Sequence, residues 1–402
     1  MAANERQKST TKKPTGKTSA KQREAKSKKK LIIFGVEVFI ILIMVGVLYI
    51  VWDHTDDEDA FHVTVLDPED VIPPEVAKHK EDEASPMRGY MNIALFGVDA
   101  QNEKQLFKNS RSDSIMVANI NLDTGDIKLV SVFRDSYLNR GNDTYNKCNG
   151  AYSLGGAAQA VKMLNMNLDL DITDFVTVGY AGLARVIDGL GGVWVDVDEK
   201  ELKYINSYQC SIMGKQGKKY WEQWGSGSAW DSENLNFTPD EYFIDYEAKP
   251  VSESGYQLLN GLQATAYCRI RYVGNDFQRT ERQREVIKAI ESQAKQADLG
   301  TLTKVFESAA DDIYTNLTAE TIIGELLPHI MDYKIVDEGT FPNVKMRETI
   351  NMGAKGSCEV PLALVQSVKD LHKFLYDDDD YQVDDTVKEI AEQIKADASK
   401  YR

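Results

Sequence analysis

Residues Leu31–Trp52 read LIIFGVEVFIILIMVGVLYIVW, an apolar run of 22 residues in which Glu37 is the sole charge. At ~1.5 Å per residue, a helix of that length crosses a hydrocarbon core of ~30 Å. The run is too long for a signal-peptide core and no small-x-small cleavage site follows it, so a retained signal-anchor helix over 31–52 is expected. Its flanks differ in charge. Residues 1–30 carry eleven Lys/Arg against Glu5 and Glu24, a net +9, whereas Asp53, Asp56, Asp57, Glu58 and Asp59 follow the run. The positive-inside rule puts the basic tail in the cytoplasm and residues 53–402 outside. Glu37, near the cytosolic third, reads as a carboxylate that snorkels or pairs with a neighbouring lysine.

The whole chain has net charge −16, so the residues beyond the tail carry −25. An acidic body of this kind argues against nucleic acid as a partner, because phosphate neutralisation needs a basic surface. The five His (54, 62, 79, 329 and 372) form no HExxH and the four Cys no CxxC, which argues against zinc chemistry. Cys148, Cys210, Cys268 and Cys358 allow up to two disulfides outside the cytosol, a question that spacing leaves open.

Residues 1–30 are expected to be disordered, and 53–88, acidic with Pro73, Pro74 and Pro86, to be an extracellular linker. A folded domain is expected over 89–377. Strands are read at Met91–Gly97, Ser114–Asn121 and Ile127–Phe133, the last two as a hairpin around Asp123–Gly125, and another at Val193–Val197. Helical spacing marks Gly155–Leu164, Gly182–Leu190, Gln283–Ala297, Glu320–Met331 and Leu362–Tyr376. Strands alternating with helices predict an α/β fold, a layered α/β/α domain with a central mixed sheet, preceded by the membrane helix. Residues 200–255, rich in Tyr and Trp, read as an insertion with its own small core or as a sugar-stacking surface. Residues 378–402 read as a polar tail with some helix.

Charged residues gather at strand ends, where α/β domains place functional groups. Asp99 follows the first strand, Arg111 and Asp113 precede the second, and Arg134 and Asp135 end the third. Five arginines and no lysine then fall within Arg269–Arg284. The planar arginine fork suits bidentate contact with phosphate oxygens. Two carboxylates with few other ligands suit Mg²⁺, with Mn²⁺ as a substitute, because such an ion keeps waters and shares substrate phosphate oxygens. A magnesium-bound phosphate or pyrophosphate ligand accounts for both features; surface ion pairs with the abundant Asp and Glu are the competing explanation. No GxxxxGK[ST] loop occurs, which excludes a P-loop. Gly155–Gly156 and Gly189–Gly192 read as turns and close packing.

In order, the segments NIALFGVDAQ, RSDSIMVANIN, SVFRDSY, YNKCNGAYSLGG, VIDGLGGVWVDV, LNGLQATAYCRIRY and NDFQRTERQREVI, with TNLTAE and VQSVKDLHKFLY, cover Met91–Tyr376. This set resembles the LytR–CpsA–Psr family of cell-envelope glycopolymer phosphotransferases. The resemblance implies transfer of a glycan phosphate from an undecaprenyl-pyrophosphate-linked glycan to peptidoglycan at the lipid bilayer. It implies Asp99 and Asp113 as metal ligands, and Arg111, Arg134, Arg269 and Arg271 as pyrophosphate contacts. Arg279, Arg282 and Gln283 would extend that wall, and Asp276 would orient or deprotonate the acceptor hydroxyl. Arg134, Arg271 and Asp276 are thus the expected catalytic group, with the prenyl chain in an apolar tunnel between sheet and helices. The aspartates are expected to need no structural partner beyond the metal. Gln101 departs from the family pattern, which has arginine there in many members. Two readings of other kinds stand beside the transferase: a non-catalytic envelope receptor for polyprenyl phosphate, and a polyprenyl-pyrophosphate pyrophosphatase.

The topology has a direct check. Protease added to intact cells is expected to remove epitopes beyond residue 60 and spare those in the first 30 residues. Full protection of the C-terminal part would overturn the extracellular orientation.

Overall fold

A computed structural model of the chain describes residues 66–83, 85–100, 106–224, 246–270, 273, 274, 276–294, 296–309, 312–317, 321–326 and 333–402. The expected tail and membrane helix, Gln101 and Arg271 lie outside these. Among the described residues no helix is long and apolar enough to cross a membrane.

The three strands read from alternating apolar residues form with small extensions: β1 (Tyr90–Val98), β2 (Ser112–Asn121) and β3 (Asp126–Val132). β2 and β3 pair antiparallel with Ile120 opposite Ile127, and the Asn121 side-chain oxygen accepts from the Asp123 and Thr124 N–H groups to close the turn. Further along come β4 (Tyr137–Asn139), β5 (Tyr145–Lys147), β6 (Asp174–Val178), β7 (Val193–Val197), β8 (Gly255–Leu259), β9 (Ile313–Thr315), β10 (Lys334–Phe341), β11 (Glu348–Asn351) and β12 (Ser357–Val360). The main sheet has the order β10-β3-β2-β1-β6-β9. β1 is antiparallel to β2 and parallel to β6, and β10 is parallel to β3, which makes the sheet mixed.

The helices are α1 (Pro74–Glu81), α2 (Gly150–Leu168), α3 (Tyr180–Gly189), α4 (Glu199–Ile212), α5 (Gly214–Trp224), α6 (Gly261–Arg269), α7 (Asp276–Ala294), α8 (Leu299–Ala309), α9 (Leu364–Tyr376) and α10 (Asp385–Ala398). Strand alternation sorts side chains to the two sheet faces. Ala94, Phe96, Ile115, Val117, Val130 and Val132 share a core with α2, α9 and α10. Ile93, Met116, Ile127, Leu129, Val176 and Ile335 line the other face. Beyond it, α3, α4, α6, α7 and α8 pack with the β7–β8 ribbon around Ile187, Val195, Leu262 and Ile290. The result is the expected α/β arrangement, with helices on both faces. α2 kinks at Gly155–Gly156, where a Cβ on Gly156 would overlap the Phe107 carbonyl oxygen, so the glycine pair serves close packing.

Four segments differ from their sequence reading. In the expected linker, Leu66, Val71, Val76 and Met87 are buried in the core, on a helical turn Pro68–Val71 and on α1. Proline starts both helices, a position where its missing N–H costs nothing. Residues 378–402 include α10, which buries Val387, Ile390, Ala391, Ile394 and Ala398 at helical spacing behind the acidic run 377–380. Ile205, Ile212 and Met213 of the aromatic segment join the core of α3 and α6 rather than forming a separate one, while 225–245 lies outside the described residues. All four cysteines are free and buried, so none is bridged. Of the expected helix Glu320–Met331, the described part is a π-helical turn at Ile322–Leu326.

The C-terminal segment docks through buried ionisable groups. Asp169 ends α2 in the left-handed conformation, and its carboxylate accepts from the Asp384 N–H at 2.9 Å. His372 stacks on Tyr381 with ring centroids 3.5 Å apart. Burial, reinforced by the Asp384 charge, pushes the Asp169 carboxyl up to about 7, and burial pulls His372 down to about 3. A raised carboxyl contributes stability at low pH that is lost as pH rises through 7; a lowered histidine does the reverse, so their slopes oppose between about pH 4 and 6.5. Asp169→Asn removes one slope. Relative to wild type it is expected to gain about 1.4 kcal/mol per pH unit between pH 4.5 and 6.5, measured by urea denaturation. A pH-independent difference would reject the buried, protonated Asp169.

Candidate functional site

Because β1, β3 and β6 run one way and β2 the other, the ends of the first three and the start of β2 share one edge. That edge carries Asp99, Arg134 and Tyr180 after their strands and Asp113 at the head of β2. A β-bulge sits there: Gly97 pairs with Ser114 and Val98 with Ser112, so Asp113 is the extra residue of the bulge. Bulges commonly re-aim a side chain in this way.

The re-aimed Asp113 is the hub. Its Oδ1 takes the Arg134 guanidinium in an ion pair, its Oδ2 accepts from the Tyr180 hydroxyl at 2.9 Å, and its backbone carbonyl accepts from Arg279 Nη2 at 3.4 Å. The Arg134 and Asp113 side chains are only 13% and 12% exposed. Arg269 lies over the Tyr180 ring, 4.6 Å from its centroid, a cation–π contact. Burial, then the charges of Asp113 and, more weakly, Asp99, raises the Tyr180 phenol far above its ordinary value, with Arg269 opposing; the hydroxyl therefore remains a donor. The Asp99 N–H donates to the Arg111 carbonyl at 3.1 Å, and the Arg111 side chain is exposed at the rim.

An apolar cavity opens beside this cluster, between β1, β2 and β6 on one side and α3 and α7 on the other. Leu95, Met116, Leu183, Val286 and Ile287 line it, and Asp113 and Tyr180 stand in its wall. Its position between sheet and helices matches the expected tunnel.

α7 distributes the remaining candidates by its helical period. Gln283 turns into the apolar cavity with Val286 and Ile287. Arg279 reaches the Asp113 carbonyl, as above. Arg282 engages elsewhere: it pairs with Glu201 at 3.1 Å and donates to the carbonyls of Ile270 and Val273 at 2.7 and 3.1 Å, so it anchors the loop between α6 and α7. Asp276 opens α7. Cys148 donates to the Phe133 and Arg134 carbonyls and holds the end of β3, while burial pushes the Cys268 thiol up to about 12 and leaves it inert.

Among the described residues, no three His, Cys, Asp or Glu are arranged to hold a metal ion. The donor set of Asp99 and Asp113, hard oxygens at adjoining strand ends, nevertheless fits an ion that is completed by water and phosphate oxygens. Asp113 also has structural partners in Arg134 and Tyr180, which corrects the expectation that it needs none. Tyr180 carries no charge, so the charge pattern of the sequence does not single it out; its position just past β6 is the available signal.

The LytR_cpsA_psr family model matches residues 72–351. The chain belongs to the LytR–CpsA–Psr family. Within that family, it is 26% identical over 294 residues to the polyisoprenyl-teichoic acid–peptidoglycan teichoic acid transferase TagU of Enterococcus faecalis, an alignment that covers 71% of this chain and 78% of the relative. It is 25% identical over 341 residues to the TagU of Bacillus subtilis, covering 83% and 90%. The solved structure of TagT bound to LI-WTA shares the fold, with a TM-score of 0.50 at 22% identity over 74% of this chain and 95% of that one.

The hub makes a stability prediction. Asp113→Ala leaves Arg134 buried without its carboxylate, which is expected to cost about 3–5 kcal/mol. The double variant with Arg134→Ala should recover part of that loss in urea denaturation. Wild-type stability for Asp113→Ala would show that the ion pair is not what holds the edge.

Proposed function

We propose that this chain moves a glycopolymer phosphate from an undecaprenyl-pyrophosphate-linked donor to peptidoglycan, as a Mg²⁺-dependent transferase anchored in the bacterial cell membrane with its folded body outside. The observation that carries the reading is the juxtaposition of an apolar cavity with an arginine and carboxylate cluster in its wall. A prenyl chain needs the first and a pyrophosphate the second. The teichoic acid transferases among its relatives support the same reading.

In this scheme the cavity between the sheet and α7 takes the prenyl chain. Arg134, Arg269 and Arg279 hold the pyrophosphate at the shared strand edge, with Arg111 at the rim, and Arg271 joins them by its place in the YCRIRY motif. Tyr180 keeps Arg269 and Asp113 in place. Asp276, at the start of α7, accepts the proton of the acceptor sugar hydroxyl. That oxygen bonds to the glycan-bearing phosphorus, the bond to the bridging oxygen breaks, and prenyl phosphate leaves. Mg²⁺ or Mn²⁺ held by Asp99 and Asp113 would offset charge on the phosphate oxygens. Arg282 and Gln283 support the site from the loop and the cavity.

Turnover of an arginine series separates this site from ordinary ion pairs. Each of Arg134→Ala, Arg269→Ala and Arg271→Ala removes a charge-assisted contact worth ~1.5–3 kcal/mol, which predicts a loss of about 10- to 150-fold in release of glycan phosphate from a lipid-pyrophosphate donor. Lysine should rescue poorly, since an ammonium lacks the planar fork. Arg140, whose guanidinium bonds the Thr144 hydroxyl rather than a group of the cluster, is the control and should be nearly silent. Near-wild-type rates for the Arg134 and Arg271 variants would reject the assignment.

A further inference from the structure

The two neighbours of Arg134 in sequence are held from outside the main sheet. Phe133, buried past the end of β3, has the Arg347 guanidinium over its ring, 3.8 Å from the centroid. The Asp135 carbonyl accepts from the Glu359 N–H at 2.9 Å, and Ser136 forms a parallel bridge to the same residue. Arg347 and Glu359 are themselves joined, Nη1 to Oε2, at 2.9 Å, and the Thr349 hydroxyl donates to Glu359 Oε1 at 2.9 Å. Their side chains are 13% and 17% exposed, close to the values for Arg134 and Asp113. Arg347 directly precedes β11 and Glu359 lies in β12, so both belong to one hairpin that is a separate two-stranded sheet.

We propose that Arg347 and Glu359 are positioning residues for Arg134, a role that rests on the reading of Arg134 as a pyrophosphate contact. Arg134 is one residue from each held neighbour. A shift of its backbone along the edge would lift Phe133 off the guanidinium or break the Asp135 bond. From the α2 side, Cys148 donates to the Phe133 and Arg134 carbonyls, and the Asn149 N–H donates to the Arg134 carbonyl at 3.1 Å. The loop is therefore fixed from two directions. Covering the Phe133 ring would need only an apolar side chain, and a mostly buried ion pair adds little net stability over apolar residues of its size. What the pair adds is directional geometry. An arginine fork covers the ring and meets the carboxylate at once, which a lysine ammonium does not. Glu359 lies beyond residues 72–351, so this brace is not carried by the family match.

The test is a double-mutant cycle on the full-length chain in detergent. Its readouts are turnover of a lipid-pyrophosphate donor and, separately, calorimetric binding of geranylgeranyl pyrophosphate. Arg347→Met keeps an apolar cover on Phe133 and is expected to lower both kcat and probe affinity by about tenfold or more, since small displacements of a phosphate contact are costly. Arg347→Lys should rescue poorly. In an Arg134→Lys background, Arg347→Met is expected to cost less than about a further threefold, because the planar fork that the brace aims is gone. Equal losses in the two backgrounds would mark a brace that only stabilises the fold and would overturn the proposal, as would wild-type behaviour of Arg347→Met. Glu359→Gln breaks the ion pair while its backbone N–H still reaches Asp135, and it supplies the same cycle if Arg347→Met folds poorly. A non-additive loss of probe affinity in a chain that leaves the donor intact keeps the positioning role and loses the transferase reading. Additive losses in an active chain do the reverse. No probe binding by wild type overturns the pyrophosphate contact and the positioning role with it.

Discussion

The Arg134–Asp113 ion pair ties together most of what surrounds the site. Both side chains are nearly buried, so each charge requires the other, and the strands that carry them are held in register at their ends. Tyr180 and Arg279 bring the starts of α3 and α7 to the same aspartate. One bulge residue thus connects two strands with two helices. Fixed charges arranged before a ligand arrives are what electrostatic stabilisation of a phosphoryl group requires, since they need not reorganise when charge moves.

α7 converts one helix into a partition. Its period of 3.6 sends Gln283, Val286 and Ile287 into the apolar cavity, and Gln278, Glu281 and Glu285 towards a polar one on its other side. The loop before it is clamped by Arg282 onto two carbonyls and onto Glu201, whose own carboxylate also caps the start of α4. That gives Arg282 a different role from the phosphate contact its neighbours in sequence would imply, and it follows from a rotation of about 60° around the helix relative to Arg279.

Much of the fold was legible in the residues. The hairpin of β2 and β3, the β7 strand and helices α3 and α9 follow from short-range periodicity, which depends only on which side chains are apolar. The burial of the helix in the last 25 residues, and of the start of the domain, was obscured by neighbouring acidic and proline-rich runs. There, composition averaged over a segment hid a narrow apolar stripe, and Ile390 and Ile394 become core because α2 and α9 pack against their helix. Tyr180 was obscured for another reason. It touches charged neighbours without carrying charge, so the charge pattern of the sequence does not mark it.

The sequence by itself determined the α/β alternation, the strand-end positions of Asp99, Asp113 and Arg134, the density of arginine without lysine around α7, and the ordered motifs of the family. These are properties of neighbours along the chain. Tertiary structure alone decided that Asp113 stands out of a bulge, that Arg279 joins it while Arg282 anchors a loop, and that four cysteines stay apart. The physical reason is that side-chain partners are set by strand direction, register and helix rotation. Those become fixed only when apolar faces far apart in sequence close on one another.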